Sequence, residues 1–262
     1  MNIIKRELRA NLKALIIWAV SLTLVIFAAS AEYSAFVDNP EILDAMSSFE
    51  EMFAVMGMPV TDFSTPEGFI SMFSIYFYVP LSIYGALLGS SIISKEERDK
   101  TAEYLFTLPV KRNQVLVKKL IAATIYMIIF VFYILAISTL FFSRYSLDDT
   151  FYYFMRNLFV GLIFTSFIFM SIGMFLASVL RQYKKSGSIT LAILIGSYLL
   201  NVLIGLVEEL EFLKYINPFQ YFKVDAMLEG NIELKYILIS IGIIASCITG
   251  LFVFYKKRDL YI

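Results

Sequence analysis

Six stretches without a charged side chain divide this chain: Ala14–Ala31, Gly68–Ser94, Leu120–Ser143, Asn157–Leu180, Ser186–Val207 and Tyr236–Tyr255. They are 18, 27, 24, 24, 22 and 20 residues long. A helix rises about 1.5 Å per residue, so about 20 residues cross a hydrocarbon core of about 30 Å. Each stretch is long enough to cross once, and the second has length left for a tilt or an overhang. An ionised side chain at mid-membrane costs about 2.5–3.5 kcal/mol on insertion scales, which accounts for charges gathering between the stretches. Barrel strands of about ten residues with alternating hydrophobicity do not fit this pattern. The expectation is an all-α polytopic membrane protein with six transmembrane helices in one domain over residues 1–262, consistent with 59% apolar side chains.

Lys5, Arg6, Arg9 and Lys13 precede the first stretch, and Ala29-Ser30-Ala31 resembles a signal-peptidase site. A signal h-region has about 7–15 apolar residues, fewer than the 18 here, so this segment is expected to remain as a span.

The loops orient the chain. Seventeen Lys and Arg residues lie on the side holding both termini, the second loop and the fourth loop, and five lie on the other. Acidic residues run the opposite way, six against sixteen. Because Lys and Arg near span ends favour the cytoplasm, both termini are expected inside, in a multi-pass protein of the cell membrane.

At the N-terminus, Ile4, Leu8, Leu12 and Leu15 share one helical face, opposite Lys5, Arg6, Arg9 and Lys13. Two readings fit: an amphipathic helix lying in the cytoplasmic interface before turning into span one, or a basic flank that only sets topology. In the first external loop, Asn39-Pro40-Glu41 and Ser48-x-x-Glu51 are helix-start patterns, the second ending near Gly57. Thr65-Pro66 starts span two in the same way. The last external segment, Glu208 to Lys235, mixes acids with Phe212, Tyr215, Phe219, Tyr221 and Phe222 and is broken at Asn217-Pro218. It reads as a short re-entrant or interfacial helical hairpin, with an ordinary loop carrying aromatic anchors as the plainer alternative.

The residue inventory removes several chemistries. Histidine is absent, which takes away the usual zinc ligand and the commonest general base, and no catalytic or metal site is expected. Cys247 is the single cysteine and sits inside an apolar run. No Gly-x-x-x-x-Gly-Lys-Ser/Thr loop occurs, so ATP phosphates are not held by a P-loop of this chain. With 22 basic and 22 acidic residues, no net field points to nucleic acid.

The loop between spans two and three carries the clearest functional pattern. Residues 94–112 are densely charged, then amphipathic, then stopped by proline. Ala102, Leu105, Phe106 and Pro109 follow i, i+3, i+4, i+7 spacing, which predicts a short helix with one apolar face. Such a helix suits docking to a partner or resting on lipid, and the pattern alone does not separate the two.

The glutamates at the start, then Thr101-x-Glu103-x-Leu105, then Leu108-Pro109-Val110-x-Arg112 leading into a lysine-bearing span, resemble the ABC-2 type permeases, six-span membrane subunits of ATP-binding-cassette exporters. Thr65-Pro66-Glu67-Gly68, Asn217-Pro218 and Lys256-Lys257-Arg258 extend the resemblance over nearly the whole chain; Lys100 departs from it, standing where glycine is frequent. The resemblance implies that this loop is a coupling helix seated in a cleft of an ATPase subunit. Glu96, Glu97, Thr101, Glu103, Leu105 and Pro109 would form that contact. It also implies two ATPase copies, which bind the ATP and Mg2+, and a second permease copy or paralogue.

Rival functions are weighed on the same residues. An ion-coupled carrier usually places charge within the membrane, and the six stretches hold none. A membrane assembly scaffold shares every topological feature, and pairing with an ATPase separates it. Phe, Tyr, Met and Ile in the spans favour a hydrophobic or amphipathic substrate such as a peptide, antibiotic, drug or lipid. Asn201 in span five fits contact with a neighbouring helix as well as with a ligand.

Overall fold

The computed structural model describes residues 3–37, 39, 62–99, 112–180 and 182–257. Among them, every regular element is helical. The α-helices are α1 (Ile3–Val37), α2 (Pro66–Phe73), α3 (Ile75–Arg98), α4 (Arg112–Phe142), α5 (Asp149–Val179), α6 (Tyr183–Leu206), α7 (Val224–Leu228) and α8 (Leu234–Lys257). Six of them, α1, α3, α4, α5, α6 and α8, are long and apolar enough to cross a membrane. The chain is an all-α multi-pass membrane protein.

α1 differs from the amphipathic reading of the N-terminus. No break separates Ile4, Lys5, Arg6, Leu8, Arg9 and Lys13 from the apolar stretch, and one helix continues to Val37. The physical reason is local: residues 3–37 contain neither Gly nor Pro, so nothing interrupts the hydrogen-bond ladder. Lys5, Arg9 and Lys13 are exposed, whereas Ile4 and Leu8 pack half-buried against the bundle.

The surplus length of the second stretch is folded into α2. Thr65 caps it, its hydroxyl accepting from Gly68 N–H at 3.2 Å, and Pro66 occupies the first turn, where a missing N–H costs nothing. A turn at Ser74 then leads into α3. The helices expected from Pro40 and from Ser48 to Gly57 lie outside the described residues.

α3 and α5 form the tightest pair because glycine lets their backbones meet. A Cβ on Gly89 would sit 2.1 Å from the Met170 carbonyl oxygen, and one on Gly173 would sit 2.5 Å from that of Ala86. Close approach of small residues is how helices gain packing contacts where lipid removes the hydrophobic drive between them. α6 and α8 instead turn Ile195, Leu199, Leu238 and Ile241 outward, as suits helices bordering lipid or another chain.

One end of the bundle is closed by a polar and aromatic clasp. The Arg144 guanidinium donates to Ser30 Oγ at 2.6 Å, Tyr33 OH donates to the Ser64 carbonyl at 2.7 Å, and Tyr33 packs edge-on to Tyr145 with centroids 4.6 Å apart. Asp148 caps α5 by accepting from Phe151 N–H at 3.0 Å.

The segment before α8 is helical in short pieces, two 3-10 helices (Glu208–Tyr215 and Pro218–Gln220) and α7. It docks on the spans through hydrogen bonds. Asn217 Nδ2 donates to the Ser197 carbonyl at 3.0 Å, Asn157 Nδ2 to the Met227 carbonyl at 3.0 Å, and Gln220 Nε2 to Asn201 Oδ1 at 2.8 Å. Asn201 is therefore held by a neighbouring element of its own chain.

Candidate functional site

The opposite end of the bundle gathers the charges. α3 ends in Lys95, Glu96, Glu97 and Arg98, with basic side chains in its last turn where they complement the helix dipole. α4 begins at Arg112 and α1 at Ile3, so three helix ends meet here.

Between them runs a chain of ion pairs. Lys95 Nζ lies 3.4 Å from Glu7 Oε2, Glu7 Oε1 lies 3.0 Å from Arg6, Arg6 lies 2.9 Å from Glu96 Oε1, and Glu96 Oε2 lies 2.5 Å from Lys119 Nζ. Glu7 and Lys119 are wholly enclosed and Glu96 nearly so. Removing an ammonium from water costs several kcal/mol, which is offset only if its protons find acceptors. Lys119 meets this by donating also to the Ile92 carbonyl, one helical turn before Glu96. Tyr126 OH donates to the Leu8 carbonyl and ties α4 to α1 a second time. Arg112 donates to the Lys256 carbonyl at 3.2 Å, joining α4 to the end of α8. At the rim, Asp99 is held below its ordinary value chiefly by the hydrogen bond from Arg98 Nε at 2.9 Å.

Beside this cluster a cleft of about 380 Å³ opens between α1, α3 and α6. Asn11, Ser94 and Arg98 line its charged end, and Trp18, Tyr84 and Leu88 line its apolar end. Tyr84 is buried, and its hydroxyl has no hydrogen-bond partner among the described residues. Trp18 stands edge-on to Tyr84 at 6.2 Å. A cleft with that gradient suits a molecule with an apolar body and a polar head.

The expected partner-contact residues divide. Glu96 turns into the bundle rather than toward a docking surface, because it is the carboxylate that neutralises both Lys119 and Arg6. Glu97 is half-buried in the last turn of α3. Thr101, Glu103, Leu105 and Pro109 lie outside the described residues. Arg6, placed on the basic face of the expected interface helix, is instead committed to Glu7 and Glu96.

Sequence reasoning missed Glu7, Lys95 and Lys119. One signal was present: Glu7 is the single acid among the four cations that precede span one. Lys119 showed only as one of the two lysines leading into span three, bordering a charge-free stretch as any loop cation does.

A search of curated proteins found no match. The sequence model of the family described as ABC-2 family transporter protein matches residues 1–260. With nearly the whole chain matched and six spanning helices in the order the charge pattern predicts, this protein belongs to the ABC-2 family of transporter proteins.

Proposed function

We propose that this chain is the permease subunit of an ATP-driven exporter, working with two copies of a separate ATPase and a second permease copy or paralogue. The observation that carries the reading is the segment between α3 and α4. α3 ends and α4 begins at the charged end, and Ala102, Leu105, Phe106 and Pro109 between them share helical spacing in the sequence. In this reading that end is cytoplasmic, as the excess of Lys and Arg supports, and the segment is the coupling helix. Glu97, Thr101, Glu103, Leu105 and Pro109 meet the ATPase, while Glu96 holds the base of the segment in place from inside. Acidic side chains at such a contact steer docking more than they add raw affinity. ATP and Mg2+ bind the partner, whose closure moves the helices as rigid bodies. The cleft between α1, α3 and α6 receives a hydrophobic or amphipathic substrate.

Purifying the tagged protein from its native membrane in mild detergent, with identification of the accompanying chains by mass spectrometry, tests this. A stoichiometric P-loop ATPase is expected, and Leu105→Asp and Glu103→Lys should deplete it without lowering the yield of permease. Reproducible absence of any ATPase from the wild-type preparation would replace the exporter with a scaffold or an ion-coupled carrier.

A further inference from the structure

The ion chain joins three elements that contribute to it unequally. α1 supplies Arg6 and Glu7, α3 supplies Lys95 and Glu96, and α4 supplies Lys119. Each acid bridges cations from different places in the chain: Glu7 takes Lys95 of α3 together with its neighbour Arg6, and Glu96 takes Arg6 of α1 and Lys119 of α4. Lys95 and Glu96 are also the residues at which α3 hands over to the 100–111 segment. Any displacement of that segment therefore reaches carboxylates and cations that are enclosed and mutually paired. Separating them would leave an enclosed charge without its counter-ion, which costs more than moving the three helix ends together. Apolar contacts slide at small cost, whereas an enclosed charge chain has discrete partners and resists slipping.

We infer that Lys119 and Glu7 are positioning residues of energy coupling: they lock the N-terminal turns of α1 and the start of α4 to the end of α3, so that motion imposed on the 100–111 segment is delivered to α1, which walls the cleft. The inference rests on the ATPase-coupled reading above. Both residues are wholly enclosed, and neither lines the cleft. Glu7 is the farther of the two in sequence and binds α1 to α3 directly, through Lys95. Lys119 closes the other end of the chain and has no other carboxylate partner among the described ion pairs.

Hydrogen–deuterium exchange on the permease–ATPase complex in lipid nanodiscs tests it, comparing the nucleotide-free and vanadate-trapped states. In wild type, trapping should change deuterium uptake both in peptides covering 95–112 and in peptides covering 3–13. In Lys119→Met, which keeps the length of the side chain and leaves Glu96 paired with Arg6, ATP hydrolysis and the 95–112 response should persist. The 3–13 response should fall about twofold or more, because Glu96 then holds Arg6 without the ammonium that fixes its carboxylate, while the Lys95–Glu7 pair remains. Glu7→Gln, nearly isosteric, removes the Lys95 tie and leaves Arg6 on Glu96, so it should give a like selective reduction, and it carries the test if Lys119→Met does not assemble. A 3–13 response of wild-type size in the variants, or one that wild type lacks while 95–112 responds, overturns the inference with the exporter reading intact. If no ATPase accompanies the wild-type protein, it is the exporter reading that fails, and the inference falls with it.

Discussion

Lys119 Nζ stands 2.5 Å from Glu96 Oε2 where the end of α3 meets α4, the ammonium wholly enclosed and the carboxylate nearly so. The two partners are not equivalent. Glu96 has Arg6 as a second counter-ion at 2.9 Å, whereas Lys119 is left with only the Ile92 carbonyl once Glu96 is gone. Glu96→Ala should therefore cost about 3–5 kcal/mol, the range for stranding an enclosed charge, and Lys119→Met distinctly less. Unfolding by titrated SDS measures both, and equal losses would contradict the asymmetry.

The α3–α5 contact predicts a position where one carbon matters. Gly89→Ala places a methyl against the Met170 carbonyl, so the helices must separate, at about 1–3 kcal/mol for overpacking of this kind. Gly196→Ala on α6, where an added Cβ meets nothing within 4 Å, is the matched control and should not destabilise. The two variants are compared in the same SDS titration.

The cleft is observable without knowing its natural ligand, because Trp18 on its wall is the only tryptophan of the chain. A brominated amphipath should quench Trp18 emission in two parts, a saturable part from occupancy and a linear part from collisions. Ser91→Phe, which fills the lining beside Leu88, should remove the saturable part and leave the linear one. Saturable quenching that is unchanged in the variant would move the binding site elsewhere.

Outside the spans, Glu67 at the start of α2 has its carboxyl raised above the ordinary value of 4.5, first by burial and then by the nearby negative charge of Asp148. A raised folded-state value means the folded form holds its proton more tightly than the unfolded form. Its contribution to stability is thus full below pH 4.5 and is lost as pH rises through the folded-state value. Amide protection across residues 62–74, corrected for intrinsic exchange, should be higher at acid than at neutral pH, and Glu67→Gln should flatten the difference.

Much of the architecture is legible in the sequence because it follows from solvation. Charge is expelled from a hydrocarbon layer, so the charge-free stretches marked out the spanning helices, and the surplus of the second became α2 behind the Thr65-Pro66 start. Local chemistry carried the helix start at Thr65-Pro66 and the break at Asn217-Pro218, where Asn217 caps a short 3-10 helix. Partner choice among charges was not legible. Arg6 read as part of an interface helix or a basic flank, Lys119 as a cation at the edge of a span, and Glu96 as half of an acidic docking pair, because pairing across 90 and 23 residues of chain depends on which helix ends the bundle brings together. Asn201 was equally ambiguous until Gln220 was found against it. Gly85 and Gly89 stand four apart, but only the approach of α5 turned that spacing into a contact that a single methyl would break. The sequence by itself determined how many segments are long and apolar enough to cross and that charge gathers between them, since those depend on each segment's own transfer from water to lipid. Only the tertiary structure decided which charges are enclosed, which glycines are indispensable and where the cleft lies, since each of those is a property of surfaces brought together from different segments.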